Sequence, residues 1–596
     1  MASTSTTTLA RAQSKDCTPQ QQPVIYRLLD SDNSTSQYFL SPSPALPLRT
    51  TTLSERLQTW LDSPLAAPPI WEAFNALTCG NPSVRREQNQ LHFRDNLDAW
   101  RGIGVERVKE LREELAGVLR KAVKEGKLTE SGGLGAEETT PKRAIVWTAG
   151  NADTFDRVLT SLRLLRHSYN SSLPALVYHF PSESPSESQL ALFTSLNTTV
   201  HALESLDKAG GGRTKSFHLK GAALVQAFKE TDEVLMLDSD NVPVRDPEGL
   251  FESREFREMG AVFWPDYWKD QPENAIWSIL GVQCRDEFTI EAGQVLLRQS
   301  DHLDAILLVE HMLKDWEFWF KLSDGDKDLF RYAFLALRKR WGVPARHLST
   351  ASWLDRDALG ADKRDRFAGH TMLQYGLAGE PGEPGGGSGG GARPMFVHAN
   401  LLKRITANLY NGNTFGRTLQ LRLPPPPSNI SSDFIFHCDY LVNVSPFTGV
   451  GLLPSDVDTN SLSTKDASPL RRPSHPTPLW VRQQALLSRG LETRFFDGHY
   501  GFAYVLAIEN VWRDELALLD KDEEKEALMS EVEMQRWRER MRHERERVDR
   551  CGQDLRADLV GEMEIVPWAD DPDLSGFEDR FYNVGEGKAG GFGFRA

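Results

Sequence analysis

The sequence predicts an α/β fold whose central sheet contains parallel strands. Between residues 143 and 241, short apolar runs alternate with longer segments of helical periodicity, an alternation typical of parallel sheets flanked by helices. The predicted order is strand Ala144–Thr148, helix through about Leu165, strand Ala175–His179, helix at about Ser216–Lys229 and strand Glu233–Leu237. Two of these strands end in polar residues, Thr148–Asn151 and Asp238–Asn241, and ligands of such sheets bind at the carboxyl ends of the strands.

Composition and charge exclude several classes of protein. The chain has 596 residues, of which 40% are hydrophobic and 26% charged, a globular composition with room for two to four domains. Its 69 Lys and Arg against 84 Asp and Glu give a net charge of −15, which argues against a sequence-independent nucleic-acid binder. The five cysteines form no Cys-x-x-Cys pair, which argues against a structural zinc site. No apolar run reaches about 18 residues, and no signal peptide is visible.

The segments before the α/β region differ in composition. Residues 1–52 are rich in Ser, Thr, Gln and Pro and are predicted to lack a fold of their own. Residues 53–130 are predicted to be helical, because Val108, Leu111 and Leu115 recur at helical spacing. We interpret this segment as a helical stem or N-terminal subdomain.

Residues 143–425 are predicted to form one α/β domain. Within it, the Gly-rich residues 377–394 are interpreted as a loop insertion, because Met395–His398 resumes a strand pattern at once. Residues 426–596 are predicted to be a partly helical C-terminal extension, with a heavily charged helix at about Lys521–Arg550.

The sharpest local signal is Asp238-Ser-Asp240, directly after an apolar strand. Residues two apart in an extended chain point to the same side, and two carboxylates there suit Mg²⁺ or Mn²⁺, which neutralises the charge of a departing diphosphate. Two alternatives stay open. The acids can satisfy backbone groups at a turn. Asp238 can also be the nucleophile of a haloacid-dehalogenase-like phosphatase, whose motif fits Asp238–Val242, although that motif normally follows the first strand of its domain.

Further motifs follow the same order along the chain. They are Ala144-Ile-Val-Trp-Thr-Ala-Gly-Asn151, Lys220, Leu235-Met-Leu-Asp-Ser-Asp-Asn241, Phe263-Trp-Pro-Asp-Tyr-Trp-Lys269, Glu291-Ala-Gly-Gln294, Gly325-Asp-Lys-Asp328 and Phe396-Val-His-Ala-Asn400. Together, over about residues 143–405, they resemble the fungal Golgi α-mannosyltransferases that build mannan side branches. More distantly, the layout is similar to the glycogenin-like retaining transferases.

The resemblance implies a GT-A fold, a Rossmann-like mixed sheet flanked by helices. It implies an enzyme that transfers mannose from GDP-mannose to a mannose-terminated acceptor, with retention of configuration and with Mn²⁺ or Mg²⁺ as cofactor. Transfer from a UDP-sugar stays an alternative, as do the phosphatase and a non-catalytic glycan-binding protein. Family members are usually Golgi proteins held by an N-terminal membrane anchor, and no such segment is visible in this sequence.

The resemblance also assigns the metal and the diphosphate. Asp238 and Asp240 would hold the metal, with His398 as third ligand. Lys220 and Lys403 would contact the diphosphate, for which a lysine is a suitable point charge.

Four residues near strand ends are implied to contact the nucleotide. They are Thr148, Gly150, Asn151 and Ser239. The alternative for Gly150 is an ordinary turn at the end of a strand.

The catalytic set implied by the resemblance comprises Glu291, Gln294, Asp326 and Asp328, which would surround the mannose and the incoming hydroxyl. Glu291 is the candidate β-face carboxylate for a covalent route, although we favour a front-face attack. Ala292-Gly293 would leave room for the sugar ring. The alternative for both aspartates is helix N-capping.

An aromatic and acidic cluster is the candidate sugar and acceptor site. It consists of Trp264, Asp266, Tyr267 and Trp268. Aromatic faces can cover the C–H patches of a sugar while the acid binds its hydroxyls. The alternative for Trp264 is core packing.

Five Asn-x-Ser/Thr sequons fit a lumenal protein. They are at Asn33, Asn170, Asn197, Asn429 and Asn443.

Overall fold

The computed structural model describes residues 51–75, 90–133, 141–203, 219–282, 284, 288–344, 348–352, 369–377, 393–399, 415–421 and 563–584. The α-helices, numbered in chain order, are α1 (Leu53–Leu61), α2 (Pro68–Asn75), α3 (Gln90–Arg101), α4 (Val105–Lys124), α5 (Ala152–Arg163), α6 (Glu187–Ser195), α7 (Leu219–Ala227), α8 (Arg254–Met259), α9 (Ile276–Leu280), α10 (Gln299–Lys314), α11 (Trp316–Trp319), α12 (Lys327–Ala336) and α13 (Phe577–Asn583). The strands are β1 (Arg143–Thr148), β2 (Ala175–His179), β3 (Thr198–Ala202), β4 (Glu233–Leu237), β5 (Asn241–Pro243), β6 (Ala261–Lys269), β7 (Phe288–Arg298), β8 (Ser349–Ser352), β9 (Gly369–Tyr375), β10 (Pro394–His398), β11 (Arg417–Leu421) and β12 (Met563–Pro567).

The first sheet is mixed and has the strand order β3-β2-β1-β4-β7-β6. Strands β1 to β4 pair in parallel, whereas β7 pairs antiparallel with both β4 and β6. The predicted strands at 144–148, 175–179 and 233–237 are present, and the predicted α/β fold class is confirmed. The sequence prediction lacked α6 and β3, because β3 is a half-exposed strand without a clear apolar pattern.

The second sheet is antiparallel and has the order β12-β11-β8-β9-β10-β5. The two sheets meet where the chain leaves β4 at Leu237 and enters β5 at Asn241. Across this junction β5 pairs with β10, with His398 opposite Asn241. The Asp238–Asp240 turn therefore lies beside the end of β10, although the two are far apart in sequence.

The N-terminal helices share one hydrophobic core with the α/β body. Helix α1 begins at Leu53, as predicted, because the Thr52 side chain caps it and Glu55 bonds back to the Thr52 backbone. Residues of α1 and α4 belong to the same buried cluster as residues of α10. These residues include Leu57, Trp60, Leu111, Leu115, Leu119, Ile306 and Val309. Since this packing is continuous, we propose that residues 53–130 are part of the catalytic unit rather than a separate stem.

A buried arginine joins α4 to the body. The Arg112 guanidinium donates to the carbonyl oxygens of Ile279, Ser63, Pro64 and Ser278 at 2.7–3.0 Å. Burial lowers the pKa of Arg112 to about 10, so the side chain remains charged at neutral pH. Carbonyl oxygens accept from its N–H groups, which lowers the cost of burying that charge.

The C-terminal part of the chain completes the second sheet. Strand β12 pairs antiparallel with β11, from Arg417↔Pro567 to Leu421↔Met563. Residues 563–584, which the sequence analysis assigned to the C-terminal extension 426–596, therefore contribute β12 to the second sheet, and the domain boundary itself stays a prediction. The backbone hydrogen bonds of β11 needed a partner strand, and sequence periodicity cannot identify a partner so distant in the chain. The charged helix predicted near 521–550 lies outside the described residues, as does most of the 377–394 insertion.

Within the described residues, no helix is both long enough and apolar enough to cross a membrane.

Candidate active site

The Asp238–Asp240 turn is fixed on both sides by backbone hydrogen bonds. The Asp238 amide donates to the Gly293 carbonyl at 2.8 Å, which ties the turn to β7. The Asn241 amide closes the turn by donating to the Asp238 carbonyl at 3.0 Å, and its side chain donates to the Gly293 carbonyl at 2.8 Å. Ser239 lies in the same turn and is 8% exposed. The turn is therefore a rigid platform between the two sheets.

Three predicted metal ligands come together at this platform. One ligand atom from each of Asp238, Asp240 and His398 lies within 4.8 Å of the other two. Asp240 and His398 are buried, and the His398 Nε2 lies 3.6 Å from an Asp240 carboxylate oxygen. The His398 Nδ1 is buried without a hydrogen-bond partner among the described residues. Two carboxylates and an imidazole fit Mn²⁺ or Mg²⁺, and a cation would use a donor set that is otherwise incompletely satisfied.

Gly293 gives the His398 ring its space. A Cβ at Gly293 would lie 2.6 Å from Cε1 and 2.8 Å from Nδ1 of His398. Glycine is required here by this close approach. The sequence expectation that Ala292-Gly293 makes room for a sugar is thus corrected at Gly293, because the imidazole occupies that space.

Glu291, on β7, lies next to the His398 ring, which comes from β10. Its Oε1 accepts a hydrogen bond from the Gly293 amide at 3.0 Å and lies 3.9 Å from the His398 Nδ1. Burial raises the pKa of Glu291 to about 7, while His398 opposes this rise. Burial alone would lower the pKa of His398, but Glu291 and Asp240 raise it above its usual value. The charge of each side chain therefore depends on the charge of the other.

Lys220, at the start of α7, joins three segments of the site. Its ammonium lies 2.7 Å from Asp238 and 2.7 Å from Asp326, and it donates to the Ala292 carbonyl at 2.9 Å. The side chain is 4% exposed, and these three partners use all three N–H donors. Burial alone would lower the pKa of Lys220, but the two carboxylates raise it, so it stays charged. The predicted diphosphate contact of Lys220 stays a prediction, since its donors already have protein partners.

Asp326 was weighed as a helix cap, and that alternative is wrong. Asp326 occupies the N-cap position of α12, but its side chain makes no capping bond there. It pairs with Lys220 instead. Burial raises the pKa of Asp326, and Lys220 opposes this rise.

Asp328 lies in the first turn of α12 and is 2% exposed. Its Oδ1 accepts from the Ile290 amide at 3.2 Å, one residue before Glu291 on β7. Burial raises the pKa of Asp328 to about 8, whereas the nearby Lys327 opposes this. Asp328 thus joins α12 to the strand that carries Glu291.

Sequence analysis missed a buried charged network below Asp328. Lys327 pairs with Asp266 and donates to the Thr289 hydroxyl at 3.2 Å. Arg331 pairs with Asp270 at 2.6 Å. The Tyr332 hydroxyl donates to the same Asp270 carboxylate at 3.0 Å. Helical spacing could have placed Arg331 and Tyr332 beside Asp328, because they follow it by three and four residues on the same helix.

Gln294 is buried and lies against the metal platform. Its Oε1 accepts from the Asn241 side chain, and its Nε2 has no partner among the described residues. Sequence analysis placed Asn241 among the polar residues after the strand but gave it no role, although its place directly after Asp240 was a usable signal.

The predicted nucleotide residues lie at the carboxyl end of β1. The Asn151 Oδ1 accepts from the Thr154 amide at 3.0 Å and so caps α5. A Cβ at Gly150 would lie 2.1 Å from a Glu183 carboxylate oxygen, so a side chain at this position would displace the Glu183 carboxylate. Thr148 ends the strand beside them. Their contact with a nucleotide stays a prediction.

The aromatic cluster is divided by burial. Trp264 is fully buried, and its Nε1 donates to the Tyr375 carbonyl at 2.7 Å. The core-packing alternative is therefore correct for Trp264, and a sugar contact is not supported. Trp268 is 4% exposed, and Asp266 is engaged by Lys327. The side chain of Tyr267 lies outside the description.

Lys403 also lies outside the described residues.

A family model described as "Mannosyltransferase putative" matches residues 142–287, which include β1 to β6 and the Asp238–Asp240 turn. This part of the chain is similar to the mannosyltransferase family that the model describes. The topology of the first sheet agrees with the GT-A class that the resemblance implied.

Curated relatives match about a quarter of the chain. The alpha-1,2-mannosyltransferase MNN21 of Candida albicans is 27% identical over 181 residues, covering 22% of this chain and 27% of its own length. The alpha-1,2-mannosyltransferase MNN2 of Saccharomyces cerevisiae is 22% identical over 205 residues, covering 27% of this chain and 33% of its own length. The chain thus spans about a third or less of these relatives.

Among solved structures, the mannosyltransferase Ktr4p of Saccharomyces cerevisiae is 12% identical, with a TM-score of 0.24, and covers 38% of this chain and 76% of that one. Core-mannan synthase A of Aspergillus fumigatus, in its Mn/GDP form, is 9% identical, with a TM-score of 0.22, and covers 34% of this chain and 71% of that one.

Proposed function

We propose that this chain is a metal-dependent, retaining α-mannosyltransferase that moves mannose from GDP-mannose to a hydroxyl of an α-mannoside acceptor. The observation that carries the proposal is the meeting of Asp238, Asp240 and His398 with Glu291 at the junction of the two sheets. The mannosyltransferase family match includes the first two of these residues and supports the proposal.

Asp238, Asp240 and His398 would hold Mn²⁺ or Mg²⁺. When bound there, the cation supplies positive charge beside the leaving diphosphate. Asp238 shares one oxygen with Lys220, and its second oxygen remains for the cation. Lys220 therefore positions Asp238 for this role.

Glu291 is the proposed carboxylate beside the anomeric carbon. In its charged form it stabilises the positive charge that develops on the sugar during a front-face attack. Gly293 fixes its orientation through the amide hydrogen bond. Asp328 and Gln294 would complete the sugar pocket, and their burial supports a water-poor site.

The donor nucleotide would lie along the carboxyl end of β1, against Thr148, Gly150 and Asn151, with Ser239 and Lys403 near the diphosphate. Asp266, Tyr267 and Trp268 would line the acceptor side. By resemblance, the enzyme would act in the Golgi in protein mannosylation or mannan synthesis, associated with the membrane through an N-terminal anchor.

A donor panel with purified full chain tests the proposal. The protein would receive GDP-mannose, UDP-galactose or UDP-glucose with an α-mannoside acceptor, in Mn²⁺ or in EDTA. We expect GDP-mannose turnover that requires the metal and is lost in Asp240→Ala. Glu113→Ala, which removes an exposed acid on α4 that is 52% accessible, is the matched control and should keep full activity.

Each other outcome is informative. Turnover of a UDP-sugar alone would move the donor assignment to a sister family. Cleavage of a phosphomonoester without sugar-nucleotide turnover would favour the phosphatase alternative and overturn the proposal. Product anomeric configuration, measured by NMR, tests retention separately.

A further inference from the structure

Two of the sequons lie in neighbouring loops at one edge of the first sheet. Asn170 precedes β2 and Asn197 precedes β3. Because β2 and β3 pair in parallel, with Ala175 opposite Thr198, the two loops lie side by side. The Arg166 side chain joins them, since its guanidinium donates to the Leu196 carbonyl at 3.0 Å and to the Ser171 carbonyl at 2.8 Å.

Both acceptor asparagines are exposed and turned outward. Asn170 and Asn197 have φ angles of 54° and 53°, the left-handed conformation that asparagine adopts in exposed turns. Neither side-chain amide makes a hydrogen bond within the described part of the chain. The hydroxyl residues that complete the sequons, Ser172 and Thr199, are exposed as well.

In both sequons the middle residue faces inward. Ser171 is 4% exposed and Thr198 is 8% exposed. Each loop is therefore anchored between an outward asparagine and an outward hydroxyl residue, so a glycan on either asparagine disturbs no buried contact.

The two loops are remote from the proposed active site. They lie at the amino ends of β2 and β3, whereas the Asp238–Asp240 turn follows the carboxyl end of β4. Since β1 to β4 are parallel, their amino ends lie along one edge of the sheet and their carboxyl ends lie along the opposite edge. Glycans at this edge leave donor and acceptor access free.

We propose that Asn170 and Asn197 are both N-glycosylated and form one glycan-covered patch at this edge. The inference rests on the proposed function, because only a chain that enters the secretory pathway meets the oligosaccharyl transferase. In the reaction, the asparagine Nδ2 forms a bond to the anomeric carbon of a lipid-diphosphate-linked oligosaccharide. The lipid diphosphate leaves and the amide loses one proton.

The patch has a physical use. Strand β3 is the last strand of the first sheet among the described residues, and it is only partly buried. The unpaired backbone groups of an exposed edge strand can pair with a strand of another chain. A glycan on Asn197, at the start of β3, would hinder such pairing sterically.

The test is glycan occupancy in the full chain. The chain would be expressed in a fungal host, once with its own N-terminus and once behind an added signal peptide. Enzymatic deglycosylation in ¹⁸O-water followed by peptide mass spectrometry marks each occupied asparagine. We expect Asn170 and Asn197 to be labelled in both preparations and Asn96, which has no sequon, to be unlabelled.

Matched variants keep the asparagines. Ser172→Ala and Thr199→Ala should each remove one glycan, and the double variant should keep at least half of the transferase activity. An unlabelled Asn170 or Asn197 in the signal-bearing chain overturns the proposal. Labelling only behind the added signal would support both asparagines as acceptors and would show that entry into the secretory pathway needs a signal supplied from outside this sequence. Transferase activity in the same preparations tests the proposed function independently.

Discussion

Two opposing effects act on the Glu291 carboxyl. Burial raises its pKa to about 7, and His398 lowers it. A bound cation beside His398 would lower the pKa further. If the charged form is required, kcat/KM should rise with pH along a limb that lies at or below about 7. Activity at saturating Mn²⁺ between pH 5 and 8 measures this.

Glu291→Gln should remove that limb and lower kcat by about 100-fold or more. Glu113→Ala is again the matched control. A variant that keeps both its activity and its rising limb would show that Glu291 takes no part in the reaction.

We expect loss of Lys220 to lower the stability of the fold, because its ammonium group is already bound by protein groups. In Lys220→Met, the buried Asp326 and the partly buried Asp238 remain together without their cation, which should cost about 3–5 kcal/mol in the free energy of unfolding. Removing one charge in Lys220→Met/Asp326→Asn should recover part of this loss. Urea unfolding in EDTA measures both.

The prediction separates two roles of Lys220. If Lys220 served only to contact the diphosphate, Lys220→Met would keep its stability and lose GDP affinity, and Asp326→Asn would rescue nothing. Titration of GDP into the same variants distinguishes these cases.

At the scale of elements, β7 and β10 depend on each other through Gly293. In Gly293→Ala, the new methyl would lie 2.6 Å from the His398 ring, so the imidazole must move. We expect Mn²⁺ affinity to fall at least about tenfold, since a displaced ligand weakens a metal site. Calorimetric titration of Mn²⁺ without nucleotide measures this loss.

Gly117→Ala on α4 is the control for this change. A Cβ at Gly117 meets nothing within 4 Å, and alanine favours helix, so this variant should be neutral or slightly stabilised. Unchanged Mn²⁺ affinity in Gly293→Ala would contradict the assignment of His398 as a ligand.

The sequence predicted individual helices and strands better than the contacts between them. The β1, β2 and β4 strands and the start of α1 were predictable, because periodicity and capping are local signals. The metal ligands were grouped by resemblance, and the structure brings them together. Lys327, Asp270 and Arg331 could not be read as one buried network, because their contacts join residues far apart in the chain. Burial of Trp264 was undecidable from sequence for the same reason.

At the scale of the whole molecule, residues 422–562 enter and leave the second sheet at one point. Leu421 and Met563 are paired neighbours in β11 and β12. A two-residue Asn-Gly turn can join antiparallel strands at such a position. A chain with 422–562 replaced by this turn should fold and bind Mn²⁺ with affinity within about threefold of the full chain, as measured by calorimetry.

Deletion of 563–596 is the contrasting variant. It removes β12 and exposes β11, so it should lower the melting temperature and promote aggregation. If the turn variant were the less stable of the two, residues 422–562 would be required for the α/β body.

The junction between the sheets also orders events in time. During synthesis β4 and the Asp238–Asp240 turn leave the ribosome well before β10 delivers His398, and β12 follows much later. At a synthesis rate of about 5–20 residues per second, the His398 imidazole is made many seconds after the two carboxylates. A nascent chain therefore lacks the proposed third ligand until β10 pairs with β5 and β9. Manganese capture would report a chain in which β10 has joined the second sheet, before β12 is added.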